Sequence, residues 1–255
     1  MLDIWEMMIT IIVKLIGSEC NRMKLLDFLA PTYNEVNYML NDILPNELSN
    51  MKMLDLASGE GQHLRVFLEK NIDKIYAIDK DGERLRNILH RYSECQDKIE
   101  IVQDDILERK FQNTYDLVYL GDNSINFFKT HSSQYKVINV ISSVLRSSGI
   151  GIINITPVME RNILDYSATY KPIGKEEQCT LYGKVKVDIF NQEIAYYYKD
   201  KTNIKKVSTR ILLKKELEDM IEAAGLCIEK IASRLCKSGN TTYFYVVKLK
   251  QTTYI

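Results

Sequence analysis

The stretch that most constrains the fold of this chain is residues 52–64, which read KMLDLASGEGQHL. Residues 53–56 have the pattern of a short buried strand, and a turn containing Gly59 and Gly61 follows before a helix begins. Glycines at such a turn let backbone amides approach a ligand closely, and they leave the start of the helix open as a binding end. The segment therefore predicts an α/β sheet that binds a ligand at this turn.

A second predicted strand, residues 74–78, leads into Asp79, about 20 residues beyond the glycine turn. In Rossmann-type sheets a carboxylate at this place binds the hydroxyl groups of a ribose. The turn is not G-x-G-x-x-G, because the third residue after Gly61 is Leu64. That departure argues against a dinucleotide as the ligand.

From residue 51 onward, predicted strands and helices alternate along the chain. This alternation predicts a mostly parallel, doubly wound sheet with right-handed crossovers, whose ligands bind at the carboxyl ends of the strands. The predicted strands are residues 52–56, 74–78, 99–102, 115–120 and 150–155, and the predicted helices are residues 61–70, a segment after Asp81-Gly82, and residues 132–145, closed by Ser148-Gly149.

The alternation stops after Pro157, and the pattern changes to that of antiparallel hairpins. Residues 183–190, 193–198 and 203–210 each read as a strand, which predicts a small antiparallel sheet within residues 157–208. A helix over residues 214–224, ended by Gly225, and two strands near residues 227–232 and 241–249 complete the prediction.

The N-terminal 50 residues read as helical, including a helix over residues 33–44 with Val36, Met39, Leu40 and Ile43 on one face. The apolar run at residues 7–13 is too short to span a bilayer and lacks the features of a signal peptide. We expect an amphipathic helix here that covers the domain or a neighbouring subunit, so that a homo-oligomer would form through it. A membrane-surface or partner-binding helix is the alternative.

Composition excludes several classes of function. The chain has 34 basic and 34 acidic residues and a formal net charge of +0, so it offers no electrostatic footprint for nucleic acid. Its 5 cysteines are scattered without a C-x-x-C spacing, which predicts neither a zinc site nor a disulfide framework. These features favour a cytoplasmic protein with no bound metal, and neither nucleic acid nor membrane as a partner.

The motif Asp55-x-x-x-Gly59-x-Gly61 resembles the first motif of the class I S-adenosylmethionine-dependent methyltransferases, and Asp79 and Asp105 follow the next two strands as in that family. The resemblance implies that Asp55 orders the turn and the ammonium end of the methionine moiety. Asp79 would bind the ribose and Asp105 the adenine amino group, although the register between Asp104 and Asp105 stays open. The cofactor-binding residues implied in this way are Tyr33, Asp55, Ala57, Gly59, Gly61, Asp79, Lys80, Asp105, Ile106 and Leu120.

Residues 120–128 follow the fourth predicted strand, where this family places the groups that face the methyl acceptor. The segment resembles the Leu-Gly-Asn-Ser turn of glycine N-methyltransferase and its small-molecule relatives, with Asp122 as the departure. It has neither the Pro-Pro-aromatic sequence of DNA amino-methyltransferases nor the Pro-Cys of cytosine-C5 enzymes. The resemblance implies that Asp122 and Asn123 aim the acceptor and that Asn123 and Ser124 contact it.

Three further residues are candidates for the acceptor site. Arg161, in Glu160-Arg161-Asn162, resembles the arginine that pairs with the substrate carboxylate in glycine N-methyltransferase, and a guanidinium suits that role. Tyr38, like Tyr33, lies on the N-terminal helix that folds over the cofactor in this family, where an aromatic face can hold a cation. His131, before the last helix of the alternating region, is the candidate general base, whereas His63 is expected near the cofactor without a catalytic role.

Together these features predict a methyltransferase that acts on a small molecule. The acceptor that suits the site best is an amine nitrogen, and the cofactor product would be S-adenosyl-L-homocysteine. An O-methyltransferase with His131 as base, and a non-catalytic S-adenosylmethionine-binding partner protein, are the alternatives. The expected organisation is an N-terminal helical cap at 1–50, a Rossmann-like cofactor domain at 51–156 and 209–255, and an antiparallel substrate lid at 157–208.

Overall fold

The computed structural model describes residues 33–157, 171–176, 179–188, 190–199, 204–235 and 241–251. The predicted N-terminal amphipathic helix and the candidate Arg161 lie outside the described residues. In the part of the chain that is described, no helix is long and apolar enough to cross a membrane.

A seven-stranded sheet forms the centre of the molecule, in the order β10-β11-β5-β4-β1-β2-β3. Strands β1 to β5 run parallel, and β10 and β11 add an antiparallel edge next to β5. The sequence prediction of a mostly parallel, Rossmann-like, seven-stranded sheet is therefore confirmed. The strands are β1 Lys52–Leu56, β2 Lys74–Asp79, β3 Ile99–Gln103, β4 Tyr115–Leu120, β5 Leu145–Ile155, β10 Leu226–Leu235 and β11 Thr241–Leu249.

Five α-helices are described, and their ends carry recognisable caps. The helices are α1 Tyr33–Ile43, α2 Leu64–Glu69, α3 Gly82–Arg91, α4 His131–Val144 and α5 Lys214–Ala223. The Asp81 side chain accepts from the first amides of α3, and Thr130 and Ser133 form a capping box at α4. Gly225, at φ +77°, ends α5 as predicted.

Two of the boundaries that differ from the sequence prediction have a local explanation. Helix α2 begins at Leu64 rather than residue 61, because Gly61 has a left-handed backbone at φ +63° that a right-handed helix does not allow. Strand β5 begins at Leu145 rather than residue 150, because Leu145 is already extended and pairs with Tyr115. A register shift between Tyr115 and Leu117 absorbs the extra residues.

The two faces of the sheet are each covered by buried apolar side chains. Val36, Met39 and Leu40 of α1 join the cluster on one face, as the helical periodicity predicts. The same cluster contains Tyr119 of β4 and Phe67 of α2, whose rings lie 5.3 Å apart. Helix α1 is therefore packed over the sheet face that carries the start of the glycine turn.

A second, four-stranded antiparallel sheet follows β5, in the order β6-β7-β8-β9. The sequence predicted such a sheet in this region with one strand fewer. Strand β9 ends at residue 210, as the predicted strand over residues 203–210 does, and so extends two residues past the predicted lid boundary at 208. The strands are β6 Lys171–Glu176, β7 Cys179–Asp188, β8 Glu193–Lys199 and β9 Ile204–Arg210.

Arg210, at the end of β9, connects this second sheet to the helices of the first. Its guanidinium is buried and donates to Gln192 in the turn before β8, to Gln134 of α4 and to Glu216 of α5. The other carboxylate oxygen of Glu216 is buried without a hydrogen-bond partner among the described residues. The buried carboxylate of Glu216 therefore depends on Arg210.

Replacing Arg210 by Met is expected to lower the free energy of unfolding by about 3–5 kcal/mol, because it leaves a buried carboxylate uncompensated. Urea unfolding measures this effect. Lys215→Met is the matched control, since Lys215 pairs with Asp219 on the same helix but is exposed. The loss in this variant should be far smaller, because an exposed ion pair contributes little to stability. Equal losses in the two variants would contradict the assigned role of Arg210.

Candidate active site

The glycine turn between β1 and α2 has a left-handed backbone at three positions. Ala57, Gly59 and Gly61 have φ values of +55°, +52° and +63°. The turn is held by the Ser58 amide, which donates to Ile78 O at 3.0 Å, and by the Tyr92 hydroxyl, which donates to Gly61 O at 2.7 Å. The turn is thereby fixed beside the end of β2.

The carboxylate of Asp79 lies at the end of β2 and contacts this turn directly. Oδ2 accepts from the Gly59 amide at 2.9 Å, and Oδ1 accepts from the Asp81 amide at 2.9 Å. The residue is 8% exposed. Because each carboxylate oxygen has two lone pairs, both oxygens can still accept from the neighbouring hydroxyls of a ribose.

Asp55 and Tyr119 are register partners on the adjacent strands β1 and β4, and both are buried. The pKa of Asp55 is raised to about 7, chiefly by burial and to a smaller extent by the carboxylate of Asp122, against the hydrogen bond from Ser58, which lowers it. Burial also raises the pKa of the Tyr119 phenol, whose oxygen has no hydrogen-bond partner among the described residues. A desolvated carboxylate beside an unpaired hydroxyl fits a cationic ligand that forms hydrogen bonds.

The turn after β4 brings Asp122 and Asn123 to the same edge of the sheet. Both have left-handed backbones, with φ +52° and +55°. Asp122 Oδ1 lies 2.5 Å from Nε2 of His63, and the Asn123 side-chain oxygen accepts from the amide of Thr156 just after β5. The Asp122 side chain is 46% exposed, so its carboxylate is both anchored and accessible.

Asp104 and Asp105 follow β3 and make different contacts. Asp104 pairs with Arg109 at 2.7 Å, and this hydrogen bond lowers the pKa of the Asp104 carboxyl. Asp105 is exposed and accepts from the Leu107 amide at 2.9 Å, and no ion pair with another described residue engages it. Ile106 is buried in the core beneath this turn. The geometry therefore favours Asp105 over Asp104 for a ligand contact.

Residues 53–149 match the family model described as a methyltransferase domain. Among solved structures, the chain is similar to an S-adenosylmethionine-dependent methyltransferase from Clostridium acetobutylicum ATCC 824, with 17% identity, a TM-score of 0.71, and coverage of 89% of this chain and 97% of that chain. None of the curated proteins matches the chain.

Two further structures share the fold. SAM-bound CalS10, an amino pentose methyltransferase from Micromonospora echinaspora, has 14% identity and a TM-score of 0.59, with coverage of 91% of this chain and 98% of that chain. The sugar N-methyltransferase KedS8 from Streptoalloteichus sp. ATCC 53650 has 15% identity and a TM-score of 0.59, with coverage of 92% and 94%.

Residues 53–149 are therefore a methyltransferase domain, and the chain shares its fold with S-adenosylmethionine-dependent methyltransferases. The residues around the glycine turn would fit S-adenosylmethionine, since Asp79 offers acceptors to a ribose and Asp55 offers a desolvated carboxylate to a cation.

The remaining residues predicted to bind the cofactor occupy different environments. Leu120 is buried at the end of β4, Lys80 is exposed after β2, and Tyr33 begins α1. Tyr38, predicted for the acceptor site, is 57% exposed, and the Arg234 guanidinium of β10 lies 4.6 Å from the centre of its ring. The roles of these four residues stay predictions.

The predicted acceptor-site residues are brought together only in part. Asp122, Asn123 and Ser124 share one turn, closed by the Ser124 amide donating to Gly121 O at 2.9 Å. His131 instead begins α4, is exposed, and has its Nε2 3.9 Å from Glu216 Oε1. No described hydrogen bond connects His131 to the Asp122 turn, so its role as a general base stays a prediction without support from these contacts.

Sequence analysis assigned no functional role to three polar residues that the structure brings to this site. They are His63, which contacts Asp122, Asn37 of α1, which contacts His63, and Tyr119. The position of His63, two residues after Gly61, was the one available signal, because it places the imidazole beside the ligand-binding turn. Asn37 and Tyr119 carry no local signal, since an amide on a helix and a tyrosine in a strand are both ordinary.

Proposed function

We propose that the chain is a class I S-adenosylmethionine-dependent methyltransferase that transfers a methyl group to an amine nitrogen of a small molecule, such as an amino acid, an amino sugar or a natural-product amine. The observation that carries the proposal is the Asp122 carboxylate, accessible at the carboxyl end of β4 and anchored through one oxygen. A carboxylate accepts a hydrogen bond from an amine N–H and thereby directs the nitrogen lone pair. For a neutral amine, this orientation of the lone pair is the main requirement for methyl transfer.

The positions of the histidines favour nitrogen over oxygen as the acceptor. A hydroxyl acceptor needs a base that removes its proton, and histidine is the most frequent such group. Both ring nitrogens of His63 face side chains of the protein, and the ionic partner of His131 is Glu216. An amine that arrives deprotonated needs no such base, so these contacts support N-methylation over the O-methyltransferase alternative.

When bound, S-adenosylmethionine supplies an electrophilic methyl group on its sulfonium. The chain's own residues would hold the reactants in line and exclude water. Such positioning can lower the activation barrier by at most about 7–11 kcal/mol. Asp122 would hold the amine and accept hydrogen bonds from the substituted ammonium that forms. Asn123 would fix the turn through Thr156 and keep Asp122 in place.

Several finer features belong to the same proposal. CalS10 and KedS8, described as acting on an amino pentose and on a sugar nitrogen, support an amino sugar as one acceptor class. We propose that Arg161 binds an anionic group of the acceptor and that residues 157–208 act as a substrate lid. We further propose a cytoplasmic location and assembly through the N-terminal helix.

Asp122→Asn tests the acceptor role of this carboxylate. We expect kcat/KM for the amine to fall about 100-fold, because the amide is a weaker acceptor and presents a donor to the N–H. The dissociation constant for S-adenosylmethionine should stay within about twofold, since the cofactor groups are unchanged. Screening methyl transfer to amines, amino acids, amino sugars and phenols identifies the acceptor, and calorimetry gives the cofactor affinity.

Asp219→Asn is the matched control, because Asp219 is an exposed carboxylate on α5 that pairs with Lys215. It should leave both constants unchanged. Preferred methylation of phenols would favour the O-methyltransferase alternative. Cofactor binding without transfer to any acceptor would favour the non-catalytic alternative and overturn the proposal.

A further inference from the structure

A buried imidazole lies directly behind Asp122. His63, the N-cap residue of α2, is 4% exposed, and its Nε2 is 2.5 Å from Asp122 Oδ1. Its Nδ1 is 2.9 Å from the side-chain oxygen of Asn37 in α1. Because the side chains of Asp122 and Asn37 occupy both ring nitrogens, the imidazole acts on an acceptor molecule only through Asp122.

The backbone at Asp122 needs an external anchor. Asp122 and Asn123 are consecutive non-glycine residues with φ above +50°, a left-handed conformation that is unfavourable for L-residues. Such a turn persists only when its surroundings hold it. Thr156 holds Asn123 through its amide, and His63 holds Asp122 through its ring.

The ring of His63 is itself positioned by the elements packed around it. Tyr119 of β4 meets it edge to face, with ring centres 6.4 Å apart, and the Asp55 carboxylate of β1 acts on it electrostatically. Asn37 is fixed because Val36, Met39 and Leu40 anchor α1 in the core. A continuous set of contacts therefore leads from α1 through His63 to the carboxylate of Asp122.

We propose that His63 is a positioning residue that orients the carboxylate of Asp122 toward the acceptor nitrogen. We propose further that Asn37 makes this orientation depend on the packing of α1. The inference rests on the proposed function, since it deepens the role of Asp122. It predicts that loss of the imidazole slows methyl transfer without weakening the binding of S-adenosylmethionine.

The test is a double-mutant cycle between His63→Leu and Asp122→Asn. His63→Leu is expected to lower kcat for the amine about 10–100-fold, as a misaimed catalytic group does, with the cofactor dissociation constant within about threefold of wild type. The double variant should be no slower than the slower single variant, because residues that act as a unit are not additive. His63→Gln should recover at least about tenfold, because the glutamine amide can donate to Asp122 in place of Nε2.

Asn37 provides the matched pair of variants. Asn37→Leu removes the acceptor of Nδ1 and should lower kcat as His63→Leu does, whereas Asn37→Asp keeps an oxygen acceptor there and should lower kcat less. The readout independent of turnover is the imidazole ¹⁵N resonances, which can be assigned because the chain has 3 histidines. We expect Asp122→Asn to shift Nε2 of His63 and Asn37→Leu to shift Nδ1.

The outcomes separate this inference from the proposed function. If Asp122→Asn slows transfer and His63→Leu does not, the positioning role is wrong and the proposed function stands. Equal loss in His63→Leu and His63→Gln, additive losses in the cycle, or unshifted resonances would also overturn the positioning role. If Asp122→Asn keeps wild-type turnover, the proposed function fails and the inference fails with it.

Discussion

Asp79→Ala is expected to weaken S-adenosylmethionine binding by at least about 100-fold, because an ionised acceptor that bonds two hydroxyls contributes about 1.5–3 kcal/mol per bond. The substitution also removes the acceptor for the buried Gly59 amide at 2.9 Å and so loosens the glycine turn. Titration calorimetry with the cofactor measures the loss of affinity. Cofactor-induced stabilisation of the protein against heat should disappear in parallel.

Asp81→Ala is the matched control for this variant, since Asp81 lies two residues away on the same turn. Its carboxylate caps α3 by accepting from the amides of Glu83 and Arg84. Losing that cap should cost about 1 kcal/mol of stability and leave the affinity for S-adenosylmethionine unchanged. Wild-type affinity in Asp79→Ala would show that the ribose contact is assigned wrongly.

The fold and the cofactor end of the site could be predicted because both depend on local patterns. Strands β1 and β4 have the bounds that the apolar runs predict. Once the strands are known to be parallel, their carboxyl ends meet at one edge, so Asp55, Asp79 and Asp105 fall near each other without any knowledge of tertiary packing. The glycine turn has the left-handed backbone for which glycine is favoured.

The acceptor end could not be predicted in the same way, because its contacts cross long stretches of chain. His63 meets Asp122 across 59 residues and Asn37 across 26. Those contacts depend on the tilt of α1 and on the left-handed turn at Asp122, neither of which a periodicity encodes. For His131 the sequence and the structure indicate different surroundings. Its proximity to the Asp122 turn along the chain predicted a general base, whereas its ionic contact in the structure is with Glu216 of α5.

Asp55→Asn is expected to remove a pH dependence of stability in the cofactor-free protein. Burial raises the pKa of Asp55 from 3.8 to about 7, so the folded protein keeps a proton that the unfolded chain releases. The contribution is present in full below about pH 4 and is lost as the pH rises through about 7, and it amounts to about 4 kcal/mol at most. Unfolding by urea at pH 5 and pH 8 measures it, and Asp55→Asn should be the more stable protein at pH 8.

The same substitution should weaken cofactor binding, which makes it a trade of stability for function. The ammonium and sulfonium of S-adenosylmethionine favour the ionised form of Asp55, so wild-type affinity should rise up to about tenfold per pH unit between pH 6 and 7. Asp55→Asn should bind more weakly and with little dependence on pH.

Asp116→Asn is the control, because Asp116 pairs with Arg146 and accepts from the Lys52 amide at the opposite edge of the sheet. It should lose stability at both pH values and keep the pH-dependent affinity. Unchanged affinity in Asp55→Asn would remove Asp55 from the methionine end of the site.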